Sequence, residues 1–178
     1  MSRIMLVDDE PQVLKSLERI LRRSDHEVEM YQDPRQALQR FHTATFDLVV
    51  SDYRMPGLDG VEFLKEVKRL QPDVMRLILS AYGDLDALIS AINEAEIYRF
   101  ISKPWNDMEL MLAIDKALEH RRILVENRRL AETVRRQHEQ LNRQEQALTE
   151  LEQKHPEIAK VMWGPDGSVI LDSEDMEP

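Results

Sequence analysis

Five short apolar runs, Ile4–Val7, Val28–Tyr31, Leu48–Val50, Leu77–Leu79 and Tyr98–Ile101, alternate with stretches of helical period, and that alternation leaves few folds open. Helices are expected near 11–23, 34–42, 60–70, 84–95 and from 105 onward, the first carrying Val13, Leu14, Leu17, Ile20 and Leu21 on one face. Pro11 and Pro34 suit first-turn positions, and Asp33 and Asp84 suit helix caps. Five βα units imply an α/β domain whose parallel sheet is covered on both faces. In open sheets of that kind ligands bind in the crevice beyond the carboxyl ends of the strands.

The residues at those ends are polar. The first strand runs into Asp8-Asp9, the third into Ser51-Asp52, the fourth into Ser80 and the fifth into Lys103-Pro104. Three carboxylates gathered in a partly dry cleft repel one another and need a counter-ion, and all-oxygen ligation selects a hard cation such as Mg²⁺. A carboxylate supported by a metal and a cation can attack phosphorus and form an aspartyl phosphate. On this reading Asp52 is the nucleophile, Asp8 and Asp9 hold the metal, Lys103 meets the phosphoryl charge and Ser80 donates to a phosphoryl oxygen. Each residue alone has a plainer explanation: Asp9 before Glu10-Pro11 could be a helix cap, and a Ser or Lys at a strand end could be a solvated loop residue.

The stretches Ile4-Met5-Leu6-Val7-Asp8-Asp9-Glu10, Asp47 to Gly60 (with Ser51-Asp52-Tyr53-Arg54-Met55-Pro56-Gly57 at its centre), Leu79-Ser80-Ala81 and Phe100-Ile101-Ser102-Lys103-Pro104-Trp105 stand in one order and spacing. With them the chain from about 3 to 118 resembles a response-regulator receiver domain of two-component systems. The resemblance implies a flavodoxin-like, doubly wound five-stranded sheet in order 2-1-3-4-5. It also implies that Asp52 is the phosphoacceptor, that the backbone carbonyl of Arg54 is a further metal ligand alongside Asp8, Asp9 and Asp52, and that the Lys103–Pro104 bond is cis. Phe100 matches the family's switch aromatic: as Ser80 is drawn toward the phosphoryl group, Phe100 turns inward and alters the surface of the fourth helix, fifth strand and fifth helix. The plainer alternative is that Phe100 is a core residue. Arg54 and Tyr82 occupy positions that tune dephosphorylation in the family. The donor is expected to be a histidine kinase or phosphotransfer protein, and the receiver performs its own phosphoryl chemistry without being a turnover enzyme.

No Gly or Pro interrupts the chain between Trp105 and His155, so the fifth helix is expected to run on. From Ile123 a 4-3 repeat passes through Asn127, Leu130, Val134, Gln137, Leu141, Gln144, Leu148 and Leu151, with Asn127, Val134, Leu141 and Leu148 as the a residues of a coiled-coil seam. A helix over 120–154 is about 50 Å long and needs a partner, for which a homodimer is the economical choice; Asn127 at an a position favours a parallel, two-stranded pair. A single solvated helix held by ion pairs is the alternative. Arginine pairs at 121–122, 128–129 and 135–136 form a basic outer stripe. Arg122–Glu126, Arg128–Glu132 and Arg135–Glu139 are i,i+4 pairs, however, and no aromatics interleave, which argues against DNA contact.

Charge divides the chain the same way. Residues 1–118 carry 15 basic and 21 acidic residues (−6), 119–154 carry 8 and 7 (+1), and 155–178 carry 1 and 6 (−5). This sets three expected segments: receiver 1–118, coiled coil 119–154, and 155–178 with a small hairpin turning at Pro165-Asp166 before an acidic tail. Trp163, Val169 and Leu171 of the hairpin need something to pack on. No run approaches the length of a membrane span and cysteine is absent, so a cytoplasmic protein with no membrane partner is expected. The 60 residues after 118 are too few for a further enzyme domain and carry no helix-turn-helix pattern. Output by contact with a downstream protein is therefore expected, the alternatives being the regulatory part of a larger enzyme or transcription factor, or a phosphate sink.

Overall fold

A computed structural model of the chain describes residues 1–22, 24–81, 95–154, 162–163 and 169–170. Strand β1 (Ser2–Val7) is followed by α1 (Pro11–Leu21), β2 (His26–Tyr31), α2 (Pro34–Arg40), β3 (Leu48–Asp52), α3 (Gly60–Leu70), β4 (Met75–Ala81), β5 (Arg99–Lys103) and the long helix α4 (Asp107–Lys154). Every pairing among the first five strands is parallel, and the sheet order is β2-β1-β3-β4-β5. The fold is the flavodoxin-like arrangement expected from the sequence.

Strand periodicity decides which side chain goes to which face. Ile4 and Leu6 of β1, Leu48 and Val50 of β3, and Leu77 and Leu79 of β4 pack on one side with α1 and with Leu110, Ala113, Ile114 and Ala117 of α4. The alternate residues Met5, Val7, Val49 and Ile78 face the other side, with Ala37 of α2 and Phe63, Leu64 and Val67 of α3. Pro11 and Pro34 open α1 and α2, and Asp33 caps α2 by accepting a hydrogen bond from the Arg35 N–H.

Several boundaries differ from the sequence expectation. Strand β5 covers Arg99–Lys103, not Tyr98–Ile101, and β4 and β3 extend to Ala81 and Asp52. Polar residues can end these strands because their backbones stay paired, Ser80 with Ser102 and Ala81 with Lys103. Helix α4 begins at Asp107, because the Asn106 side chain accepts hydrogen bonds from the Met108 and Glu109 N–H groups and caps it. Asp84, Tyr82 and most of the helix expected over 84–95 lie outside the described residues; Ala95, at its end, is buried.

Contacts divide the chain into two compact units, Met1–Asn127 and Arg128–Pro178. In the first, Leu110, Ala113, Ile114, Ala117 and Leu118 bury one stripe of α4 at i, i+3, i+4 spacing. Arg121 extends that grip: its Nη1 lies 2.6 Å from Asp47 Oδ1, and its Nε donates to the Asp73 carbonyl at 3.1 Å. Sequence reasoning placed Arg121 in an outer basic stripe; it instead fastens the helix beside the strands. In the second unit β6 (Met162–Trp163) and β7 (Val169–Ile170) pair antiparallel, as expected of the hairpin, while its turn at Pro165-Asp166 and the acidic tail lie outside the described residues. No helix among the described residues is long and apolar enough to cross a membrane.

Candidate functional site

The carboxyl ends of β1, β3 and β5 bring Asp8, Asp52 and Lys103 together. Asp8 is fully buried and Asp52 is 7% exposed. The Lys103 ammonium stands between them, 2.8 Å from Asp8 Oδ2 and 2.6 Å from Asp52 Oδ1. Asp8 Oδ1 accepts the Glu10 N–H and Asp52 Oδ2 accepts the Arg54 N–H, so each carboxylate has a second donor at its other oxygen. The Lys103–Pro104 peptide is cis, as the resemblance implies.

Burial dominates at Asp8 and holds its carboxyl above the usual aspartate range, even though the Lys103 hydrogen bond and the Glu10 N–H pull the other way. At Lys103 burial is again the largest influence and works to lower the ammonium, but the hydrogen bonds to Asp52 and Asp8 and the charges of the two carboxylates together outweigh it and hold the group above its ordinary value. The site is thus a buried acid pair sharing one firmly charged cation.

The remaining expected residues are placed less centrally. Asp9 is half-buried beside Asp8, and among the described residues no three His, Cys, Asp or Glu side chains are arranged to hold a metal ion. In donor chemistry the residues do fit a hard cation: three carboxylates and one ammonium leave excess negative charge, and every candidate ligand is an oxygen. Ser80, near the end of β4 and paired with Ser102 next to Lys103, is buried, its hydroxyl donating to the Ala81 carbonyl at 3.1 Å. Phe100 is 37% exposed, which excludes the plain core reading. Glu10, not Asp9, holds the cap position of α1, without a side-chain bond.

Sequence reasoning missed Gly60. A methyl group there would overlap the Asp52 carbonyl oxygen and come within 2.9 Å of its carbon. The Gly60 N–H also donates to the Tyr53 carbonyl at 2.8 Å, and Asp59 caps α3 through the Val61 and Glu62 N–H groups. The first turn of α3 is therefore seated directly on the peptide that carries Asp52. Asp59-Gly60 immediately before a helical apolar pattern is the signal that could have found it.

Residues 4–115 match the family model of the response regulator receiver domain. The chain belongs to that family. It is 36% identical over 123 residues to the hydrogenase transcriptional regulatory protein HoxA of Bradyrhizobium diazoefficiens, the match covering 69% of this chain and 25% of the relative. It is 32% identical to the DNA-binding transcriptional regulator NtrC of Klebsiella pneumoniae, covering 65% of this chain and 24% of that one. Receiver-domain sequence thus spans about a quarter of the length of these relatives. Among solved structures, the signal receiver domain of an HD domain-containing protein from Pseudomonas fluorescens Pf-5 superposes with a TM-score of 0.65 at 38% identity, over 68% of this chain and 97% of that one.

Proposed function

We propose that this response-regulator receiver takes a phosphoryl group on Asp52 from a histidine kinase or phosphotransfer protein in the cytoplasm, and that the change is passed to a dimeric helical stalk acting by protein contact. The observation that carries the reading is the Lys103 ammonium shared by the buried carboxylates of Asp8 and Asp52. A carboxylate oxygen of Asp52 attacks phosphorus while the bond from phosphorus to the donor nitrogen breaks and its electron pair leaves with the donor. Lys103 faces the negative oxygens of the group in transit, and the Arg54 N–H keeps the other Asp52 oxygen oriented. Asp8 and Asp9, with Asp52 and the Arg54 carbonyl, would hold Mg²⁺, which when bound supplies charge neutralisation at the phosphoryl oxygens. Ser80 donates to a phosphoryl oxygen and Phe100 turns inward behind it.

The stalk rests on a different observation. Ile123, Leu130, Val134, Leu141, Leu148 and Leu151 are all more than half exposed along one heptad seam. A second copy of the chain is the occupant that such a self-matching seam fits. The share of the relatives that the chain spans favours a second reading, in which the receiver regulates a larger transcription factor or enzyme; a reading frame continuing past Pro178 supports it.

Intact-protein mass measurement after incubation with a small phosphodonor and Mg²⁺ tests the acceptor. Wild type gains one phosphoryl group and Asp52→Ala gains none; a gain that survives in Asp52→Ala removes the assignment. Light scattering with and without beryllofluoride tests the stalk, and a monomer in both states removes the dimer.

A further inference from the structure

Two consecutive residues near the root of the long helix are held by different parts of the sheet. Arg121 is tied to Asp47, just before β3, and to the Asp73 carbonyl, just before β4. These are the ends of the strands remote from Asp52. His120 is held by Tyr98, whose ring lies 5.3 Å from the imidazole at an interplanar angle of 32°. The Tyr98 hydroxyl also reaches the Lys116 carbonyl, at 3.4 Å.

Tyr98 immediately precedes β5 and stands two residues before Phe100. Both are 37% exposed. The Arg121 anchor therefore sits away from the switch strand, while the His120 contact is made by the residue just before it. His120 also falls seven residues before Asn127, at an a position, where it is the first residue of the seam. Contact with Tyr98 and a place in the seam are then competing demands on one exposed, tilted ring.

We propose that the Tyr98–His120 stack couples the switch to the stalk: the fifth strand and the partner helix compete for the His120 ring. This rests on the reading of Phe100 as the switch and of 120–154 as a dimer seam. With Phe100 outward, Tyr98 retains His120 and holds the first layer of the seam open. Inward movement of Phe100 shifts its neighbour Tyr98, releases His120 to the seam and tightens the dimer, while Arg121 keeps the helix attached to the receiver.

An aromatic pair of this kind shifts an equilibrium by roughly twofold to tenfold, and a dimer contains two of them, so the release is worth roughly fivefold to a hundredfold in dimer dissociation constant. The test uses the full chain: light scattering over a concentration series, with Mg²⁺, with and without beryllofluoride, on wild type, Tyr98→Leu, His120→Leu and Tyr98→Phe. Beryllofluoride tightens the wild-type dimer within that range. Tyr98→Leu and His120→Leu form the tight dimer without it and respond by less than about twofold, whereas Tyr98→Phe, which keeps the ring, responds like wild type. In the nuclear magnetic resonance spectrum the ring-current shift of the His120 imidazole is lost in Tyr98→Leu and on adding beryllofluoride to wild type. A full beryllofluoride response in Tyr98→Leu overturns the coupling and leaves the dimeric switch standing. A wild-type chain that is monomeric throughout, or whose dimer ignores beryllofluoride, overturns the stalk reading and the coupling with it.

Discussion

Replacing Asp8 by asparagine should stabilise the fold while abolishing phosphorylation. Asp8 is fully buried, and one ammonium serves both it and Asp52 at 2.8 and 2.6 Å. Two carboxylates sharing one ammonium lie within about 5 Å of each other, where unit charges repel by roughly 3 kcal/mol at an effective dielectric constant of about 20. Lys103 offsets that repulsion, but burial still keeps the Asp8 carboxyl above its usual range, so ionised Asp8 is a net burden on the native state. Asparagine keeps the size and can still accept the Glu10 N–H. Removing the charge relieves that repulsion and should contribute up to roughly 3 kcal/mol at neutral pH, or roughly 3–5 °C in melting temperature per kcal/mol. The pH dependence fixes the sign. A carboxyl whose folded pKa lies above its unfolded value of 3.8 binds more protons when folded, so wild-type stability from this group is complete below the unfolded value and is lost as pH rises through the folded one. The advantage of Asp8→Asn should therefore vanish in acid and grow to its full size above the folded pKa. Urea unfolding across that pH range measures it. A variant less stable than wild type at neutral pH, or a difference that ignores pH, would refute the dominance of burial at Asp8.

Four further outcomes are expected. Gly60→Ala should lower the rate of Asp52 phosphorylation by at least about tenfold, since misplacement of a reacting group by an ångström can cost far more. Gly57→Ala, at a positive φ of 80° but with only the Arg35 side chain nearby, should cost about 1 kcal/mol of stability and leave the rate within about twofold; equal rate losses in the two would show that Gly60 acts through folding alone. Lys103→Met should leave Asp8 and Asp52 without their shared cation, cutting phosphorylation by about a hundredfold or more, and the loss should be read as a rate against small phosphodonors in protein shown to be folded by circular dichroism. Asp59→Ala, which removes the cap of α3, should reduce stability by about 1 kcal/mol in urea unfolding.

The sheet was legible because its strands are buried on both faces and so read as continuous apolar runs; Leu48-Val49-Val50 needs no context. The candidate site was legible for the same reason, since Asp8, Asp52 and Lys103 are charged residues where apolar runs stop, and the crossover topology brings those stops to one edge. What could not be read depends on distant partners. Arg121 looks like any exposed arginine of a charged helix until Asp47 and the Asp73 carbonyl are placed beside it. Tyr98 looked like the first residue of a strand, yet it precedes the strand and meets a ring 22 positions later. Asn106, expected inside a helix running from 105 onward, instead caps one that starts at Asp107.

The long helix changes its source of stability within one turn. Up to Leu118 it buries a regular stripe against the sheet and needs nothing else, while every described side chain from 122 onward is exposed. A helix in water gains little from propensity alone, and nucleation makes even good sequences marginal. On the proposed dimer reading, the segment past Arg121 depends on a second copy covering Ile123, Leu130, Val134 and Leu141, all exposed in the single chain, so that its order and its association form one equilibrium. The polar Asn127, Gln137 and Gln144 weaken that equilibrium further. A weakly held seam is one that a contact worth only a few-fold at its first layer can move appreciably, whereas a seam of unbroken leucine would stay closed whatever the receiver did. Under the proposed coupling, the position of His120 as the first seam residue, in contact with Tyr98 beside the switch strand, is consequential for that reason.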